Sequence, residues 1–227
     1  GFLLMSITMF GNTIDFSDTV DQHVLFNSNL DSIETNLKFW VMGDNIDGQN
    51  NSTLTNGQSI AQWNDYSGST NNALQNTANN QGIYNHTLSS IRFDGPNDFY
   101  SIGTNITTNS SYTFFIVEKR AAGKAQNYYF GQTGSAGRDK MIHLGYRTDS
   151  SITLAHFSND ITTDVRNHGN VDLAVFRFKR SESPSHFINF NGPLLDSGQS
   201  GTALTNNGYN IVGSSFENFY NGNIMEI

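Results

Sequence analysis

Apolar positions along the chain fall in short runs separated by polar clusters, and no stretch repeats them at the 3.6-residue spacing of an amphipathic helix. LAVFRFK (173–179) shows the alternation most clearly. Ala174, Phe176 and Phe178 share one face, and Arg177 and Lys179 share the other. YTFFIVEK (112–119) is apolar on both alternating faces, which predicts a deeply buried central strand. LKFWV (37–41), IRFDGPNDFYSI (91–102), residues 128–131, 141–146 and 151–157, NIVG (210–213) and YNGNIMEI (220–227) supply further strand candidates. HFINFNGPLL (186–195) carries an Asn191-Gly192 pair, the strongest short-range signal for a two-residue hairpin.

The breaks between runs have turn chemistry. Residues 43–57 read as a long polar loop, and Asp94, Gly95, Pro96 and Asn97 read as a turn between two apolar strands. In WNDYSGSTNNALQ (63–75), Trp63 is an aromatic anchor. Asp65, Ser67, Asn71 and Asn72 can bond nearby backbone, and Gly68 can take a positive φ. About a dozen short strands with Gly- and Asn-rich turns predict an all-β fold, a two-sheet antiparallel β-sandwich or jelly roll.

Residues 1–36 read as a separate N-terminal extended arm, and residues 37–227 as one domain. The arm has apolar runs at 2–10 and 24–26, and the Asp31 to Glu34 spacing of a capping box predicts one helical turn over 29–35. Such an arm adds a strand to the domain or docks on a neighbouring subunit, and in the second case a homo-oligomer is the expected assembly. The last run has no visible closing partner, which predicts that the natural chain continues beyond Ile227.

Composition narrows the ligands. Charged residues make up 14% of the chain, against about 25% in an average domain. The net charge is -8 and the few Lys and Arg are scattered, which argues against a nucleic-acid partner. The apolar start is shorter than the roughly 20 residues a membrane-spanning helix needs, and no membrane insertion is expected. The absence of Cys removes disulfides and thiol chemistry. Asn51, Asn85, Asn105 and Asn109 head glycosylation triplets that an Asn-rich chain produces by chance.

Asp44, Asn45, Asp47 and Asn50 form an oxygen-rich loop that could offer calcium ligands, but the spacing is not that of an EF-hand. A solvated loop of Asx turns is the expectation, with no cofactor. His143 and His156 fall in predicted strands without a third ligand at metal spacing. Tyr128, Tyr129 and Tyr146 could stack on sugar rings, with Asn127 and Arg138 supplying hydrogen bonds; packing of at least two of them in the core is the competing reading.

The order of these pieces resembles the concanavalin A-like, or LamG-like, lectin and glucanase jelly-roll superfamily. Its microbial and phage branch places a Trp-x-Asp-x-Ser-Gly turn before an Arg-Phe-Asp-Gly strand end, here Trp63, Asp65, Ser67 and Gly68, then Arg92, Phe93, Asp94 and Gly95. The closing Gly-x-Ile-x-Glu-Ile pattern is similar to Gly222, Ile224, Glu226 and Ile227. The resemblance implies a sandwich with ligands at loop rims or on a concave face. The glucanase members carry a Glu-x-Asp-x-Glu run that this chain lacks, so no hydrolase activity is expected. The expected role is a non-enzymatic structural or adhesion module on a virion surface, such as a bacteriophage head decoration, head fibre or tail-fibre component, with possible binding of a cell-surface glycan. The alternative is a carbohydrate-binding module of a secreted or cell-surface bacterial protein.

Overall fold

The computed structural model describes residues 7–9, 12–14, 36–121, 124–148, 150–165, 169–199, 201–206 and 208–227. Backbone contacts divide the chain into two compact units, Gly1–Leu37 and Lys38–Ile227, one residue later than the composition suggested. In the first unit β1 (Ile7–Met9) pairs antiparallel with β2 (Asn12–Ile14), Ile7 lying opposite Ile14. The remainder of the 2–10 run, the 24–26 run and the expected turn at 29–35 lie outside the described residues.

The second unit begins its strands with β3 (Gln62–Trp63), β4 (Ala73–Leu74), β5 (Ile83–Asn85), β6 (Ser90–Asp94), β7 (Tyr100–Ser101) and β8 (Tyr112–Arg120). Next come β9 (Asn127–Gln132), β10 (His143–Thr148), β11 (Ser151–Ala155), β12 (Asp160–Asp164) and β13 (Asp172–Phe178). The chain ends with β14 (His186–Phe190), β15 (Leu194–Gly198), β16 (Asn210–Val212), β17 (Ser214–Ser215), β18 (Asn218–Phe219) and β19 (Asn221–Glu226). An eight-stranded antiparallel sheet runs β12-β11-β10-β9-β16-β7-β4-β3, and a seven-stranded one runs β15-β14-β13-β8-β19-β6-β5. Their facing sides enclose one aromatic and aliphatic core that includes Trp63, Phe93, Tyr100, Tyr129, Phe130, Phe176 and Tyr220. The fold is an all-β sandwich.

Sequence pattern and structure agree over most strands. β13 buries Ala174, Phe176 and Phe178 and exposes Arg177. The Asn191-Gly192 pair turns β14 into β15 with both residues at positive φ, 49° and 108°, as a two-residue hairpin loop requires. Other expectations need correction. Residues 37–41 form no strand; Val41 exchanges both backbone bonds with Ile227, and Met42 makes an isolated antiparallel bridge to Glu226. β6 and β7, on either side of the Gly95 turn, lie in different sheets, so this turn carries the chain across the sandwich instead of closing a hairpin. β8 is central but buried on one face: Phe114, Ile116, Glu118 and Arg120 point into the core, and Phe115 is exposed. The last strand, β19, lies between β8 and β6 and is paired on both sides.

The core has a polar centre. Glu118 of one sheet accepts hydrogen bonds from the Tyr146 hydroxyl of the other at 2.6 Å and from Tyr220. The Arg120 guanidinium lies 3.7 Å from the centre of the Tyr146 ring. Glu118 is fully buried, and that burial pushes its carboxyl up to about 7, against the pull of the two phenol donors.

The 63–75 stretch supports the strandless segment beside β19. Asp65 accepts four bonds: from the Trp40 backbone N–H at 2.9 Å, the Ser67 N–H at 2.9 Å, the Ser67 hydroxyl at 2.8 Å and the Asn71 N–H at 2.8 Å. The Trp63 indole, fully buried, donates to the Met42 carbonyl at 2.8 Å, and the Trp40 indole donates to Glu226 at 2.8 Å. Gly68 sits at φ 80° where the turn reverses. Asp65→Ala would strand several partly buried N–H groups at once. We expect a loss of about 2–4 kcal/mol in chemical denaturation, at about 1–3 kcal/mol for each donor left unpaired, with Asp65→Asn losing less. Unchanged stability would show that this brace does not hold the segment.

Candidate functional site

A cleft of about 340 Å3 opens on the outer side of the eight-stranded sheet. Its floor comes from β9, β10 and β12, through Tyr128, His143, Arg147 and Asp160. Its walls are two hairpin tips, Phe157 and Ser158 between β11 and β12, and Phe216 between β17 and β18; Gln126 and Asn218 complete the lining.

Two irregularities in the ladder accompany this floor. Between β9 and β10 the register passes from Leu144 opposite Phe130 to Gly145 opposite Tyr128, leaving Tyr129 as an extra residue. Tyr129 and Phe130 both enter the core, while Tyr128 lines the cleft. Gly145 permits the close approach: a Cβ there would lie 2.5 Å from the Asn127 carbonyl oxygen and 2.7 Å from the Tyr128 Cα. Between β10 and β11 the register passes from Tyr146–Ile152 to Thr148–Ser151, and Arg147 is the extra residue. Bulges bend a strand and re-aim side chains, and they are over-represented beside functional sites.

The two tips share a second irregularity. Phe157 and Ser158 have φ of 50° and 62°, and Phe216 and Glu217 have φ of 52° and 58°. Two-residue hairpin turns of type I′ hold left-handed backbone at both central positions and ordinarily use Asn and Gly there. A phenylalanine at such a position costs free energy that the fold must recover elsewhere. The two rings meet at 5.4 Å between centroids, and Phe216 also packs edge-on against His143 at 5.2 Å. Gln126, on the rim, has φ of 52°.

The polar groups of the floor are linked. Arg147 Nη2 donates to Asp160 Oδ2 at 2.7 Å and lies 3.1 Å from His143 Nε2. Burial pushes His143 down to about 4, with Asp160 acting upward and Arg147 downward, so the imidazole is neutral near pH 7. His143 Nδ1 and Arg147 Nε are buried and have no hydrogen-bond partner among the described residues.

The residues proposed from sequence for sugar contact separate. Tyr129 and Tyr146 are sealed in the core at 0% exposure and present no ring face to a solute. Tyr128 reaches the cleft, but it is 4% exposed and packed edge-on against His143, so it serves as floor and not as a stacking platform. Arg138 is exposed, lies near Asp139 at 3.5 Å and does not line the cleft. Asn127 is buried and spends its amide on the Asn221 backbone, accepting at 2.6 Å and donating at 3.2 Å. Sequence reading missed Arg147, Asp160, Phe157 and Phe216. The Ser-Asn-Asp cluster after Phe157 was an available turn signal; Phe216 and Glu217 offered none.

Compared with known proteins, the chain matches no family model and no curated protein.

The oxygen-rich loop spends its side chains on itself: Asp47 accepts from Gln49, Asn51 and Thr53, and Asn45 accepts from Asn50. Among the described residues, no three His, Asp or Glu side chains come together as metal ligands. Asp94 and Asp98 flank the Gly95 crossover, where Asp98 accepts from the Asp94 N–H at 2.8 Å. His156 is buried against Tyr112, Phe178 and His186, with the Tyr112 hydroxyl 2.5 Å from its Nε2. Asp172 lies opposite Glu118 in the β13–β8 ladder, a carboxylate pairing that spacing along the chain had hidden. The two are 3% and 0% exposed and line no part of the cleft.

Glu217 occupies a left-handed tip position without lining the cleft. Glu217→Gly is therefore expected to raise stability by about 1 kcal/mol, the order of the left-handed penalty for a non-glycine residue. Thermal denaturation checks this, and a fall in stability would contradict the strain argument.

Proposed function

We propose that the chain is a non-enzymatic recognition module, displayed on a particle surface, that binds a saccharide in the cleft between the two hairpin tips. The observation that carries this reading is the lining: half-buried Phe157 and Phe216 beside Arg147, Asp160, Gln126 and Asn218. Aromatic rings accept the C–H face of a sugar, and planar polar groups hydrogen-bond its hydroxyls. Ligand sites commonly combine apolar walls with a few convergent polar groups in this way.

The same lining favours binding over hydrolysis. Glycoside cleavage by the usual route uses two carboxyl groups flanking the bond. Asp160 is the one carboxylate among the lining residues, and it is engaged by Arg147. The order of motifs resembling the concanavalin A-like superfamily supports the recognition role. Its phage branch supports a virion-surface setting, as a decoration or fibre component acting on a cell-surface glycan. Residues 1–36 are the proposed contact with further copies of the chain or with other virion proteins.

The full chain, titrated across a broad array of glycans, is expected to bind at least one class saturably and to return the saccharide uncleaved. Failure to bind any glycan, or release of a shortened product, would overturn the reading.

A further inference from the structure

Resting on that recognition reading, the charge and shape of the cleft narrow the ligand. Arg147 and Asp160 are the formally charged residues among those lining it, and their charges cancel across a 2.7 Å contact. His143 adds no charge near neutral pH. An anionic sugar would have to compete with Asp160 for the guanidinium while approaching a chain of net charge -8. A cationic group would have to separate Asp160 from Arg147 in the same way. An uncharged polyol needs no such displacement. It can accept from the guanidinium through one hydroxyl and donate to the carboxylate through the next.

Part of each charged side chain remains accessible for this contact. The side chains of Arg147 and Asp160 are 39% and 17% exposed. The wall beside them is apolar, with the Phe157 and Phe216 rings inclined at 50° to one another. At about 340 Å3 the cleft lies near the small end of the range for ligand pockets, about 300–1,000 Å3. This volume suits a short saccharide or the end of a longer one. Phe216 occupies a backbone conformation unfavourable to its residue type, at the tip of a hairpin whose Asn218 amide donates back to the Phe216 carbonyl at 2.9 Å. A turn built for stability alone would place Asn or Gly there. The ring is what the position retains in exchange.

We infer that the cleft takes a neutral saccharide end, with the apolar face of one ring against Phe216 and a vicinal hydroxyl pair spanning Arg147 and Asp160. Phe216 is the specificity-determining wall, and the ion pair selects against acidic sugars.

The test is calorimetric titration of the full chain with neutral oligosaccharides and with matched versions carrying sialic acid, a uronate or a sulfate. Asp160→Asn, Phe216→Ala and Phe216→Tyr are compared with the wild type, with circular dichroism as the check on folding. Neutral saccharides are expected to bind at least about tenfold more tightly than acidic ones, a difference within the reach of one charge-assisted hydrogen bond. Phe216→Ala should lose at least about tenfold in affinity while Phe216→Tyr retains binding, since the aromatic face is the operative feature. Asp160→Asn should weaken neutral binding and shift preference toward acidic sugars, because it leaves Arg147 uncompensated. The Phe216 variants leave the ion pair untouched and decide the matter if Asp160→Asn does not fold. Preference of the wild type for acidic sugars, or neutral binding indifferent to Phe216→Ala, would overturn this inference while leaving the recognition reading intact. No binding of either class would overturn the recognition reading, and this inference with it.

Discussion

The hydrogen bond from Tyr146 to Glu118 joins the two sheets at the centre of the sandwich, and the geometry of the cleft follows from it. A buried carboxyl group is tolerated when its oxygens find donors, and Tyr146 and Tyr220 supply them. Fixing Tyr146 inward on β10 fixes what its neighbours do. Strand alternation and the bulge immediately after it place His143 and Arg147 on the outer side, among the residues of the cleft floor. A polar group in the core thereby sets the register of a site on the surface.

The cleft itself is assembled from departures from regular structure. Tyr129 and Arg147 are the extra residues of two bulges, and Phe157 and Phe216 stand at hairpin positions better suited to Asn or Gly. Each departure costs something locally, while β13 keeps regular pairing with both β8 and β14 in the opposite sheet. The opposite sheet has register shifts of its own, between β14 and β15 and between β19 and β8, so what distinguishes the cleft is that two bulges and two strained hairpin tips meet at one place.

These features explain what could be read from the chain. Alternation in residues 173–179 and the Asn191-Gly192 pair revealed strands and a hairpin because both features are local and regular. The Trp63, Asp65, Ser67 and Gly68 turn was legible for the same reason, since its bonds are mostly made within a few residues. The site was legible in one residue, Tyr128. Tyr129 and Tyr146 looked equivalent to it by composition, yet Tyr129 lies on the opposite face of β9, where the bulge keeps Phe130 beside it, and the Glu118 bond holds Tyr146 in the core. Register irregularities have no signature in hydrophobic period. The two central residues of the second tip, Phe216 and Glu217, are not the Asn and Gly that mark such a turn, and only Ser215 and Asn218 beside them carry a turn signal. Residues 37–41 deceived in the opposite direction: their apolar content suggested a full strand, but only Val41 pairs with the last strand, through Ile227, and the Asp65 carboxylate takes the Trp40 N–H instead.

The central claim, that recognition occurs at the two hairpin tips, is tested most directly by the crystal structure of the full chain soaked with a neutral oligosaccharide that binds it in solution. Sugar density is expected between Phe157 and Phe216, with hydroxyl oxygens within hydrogen-bonding distance of Arg147 and Asp160. Density seated on the outer side of the seven-stranded sheet, with the cleft holding solvent, would contradict it.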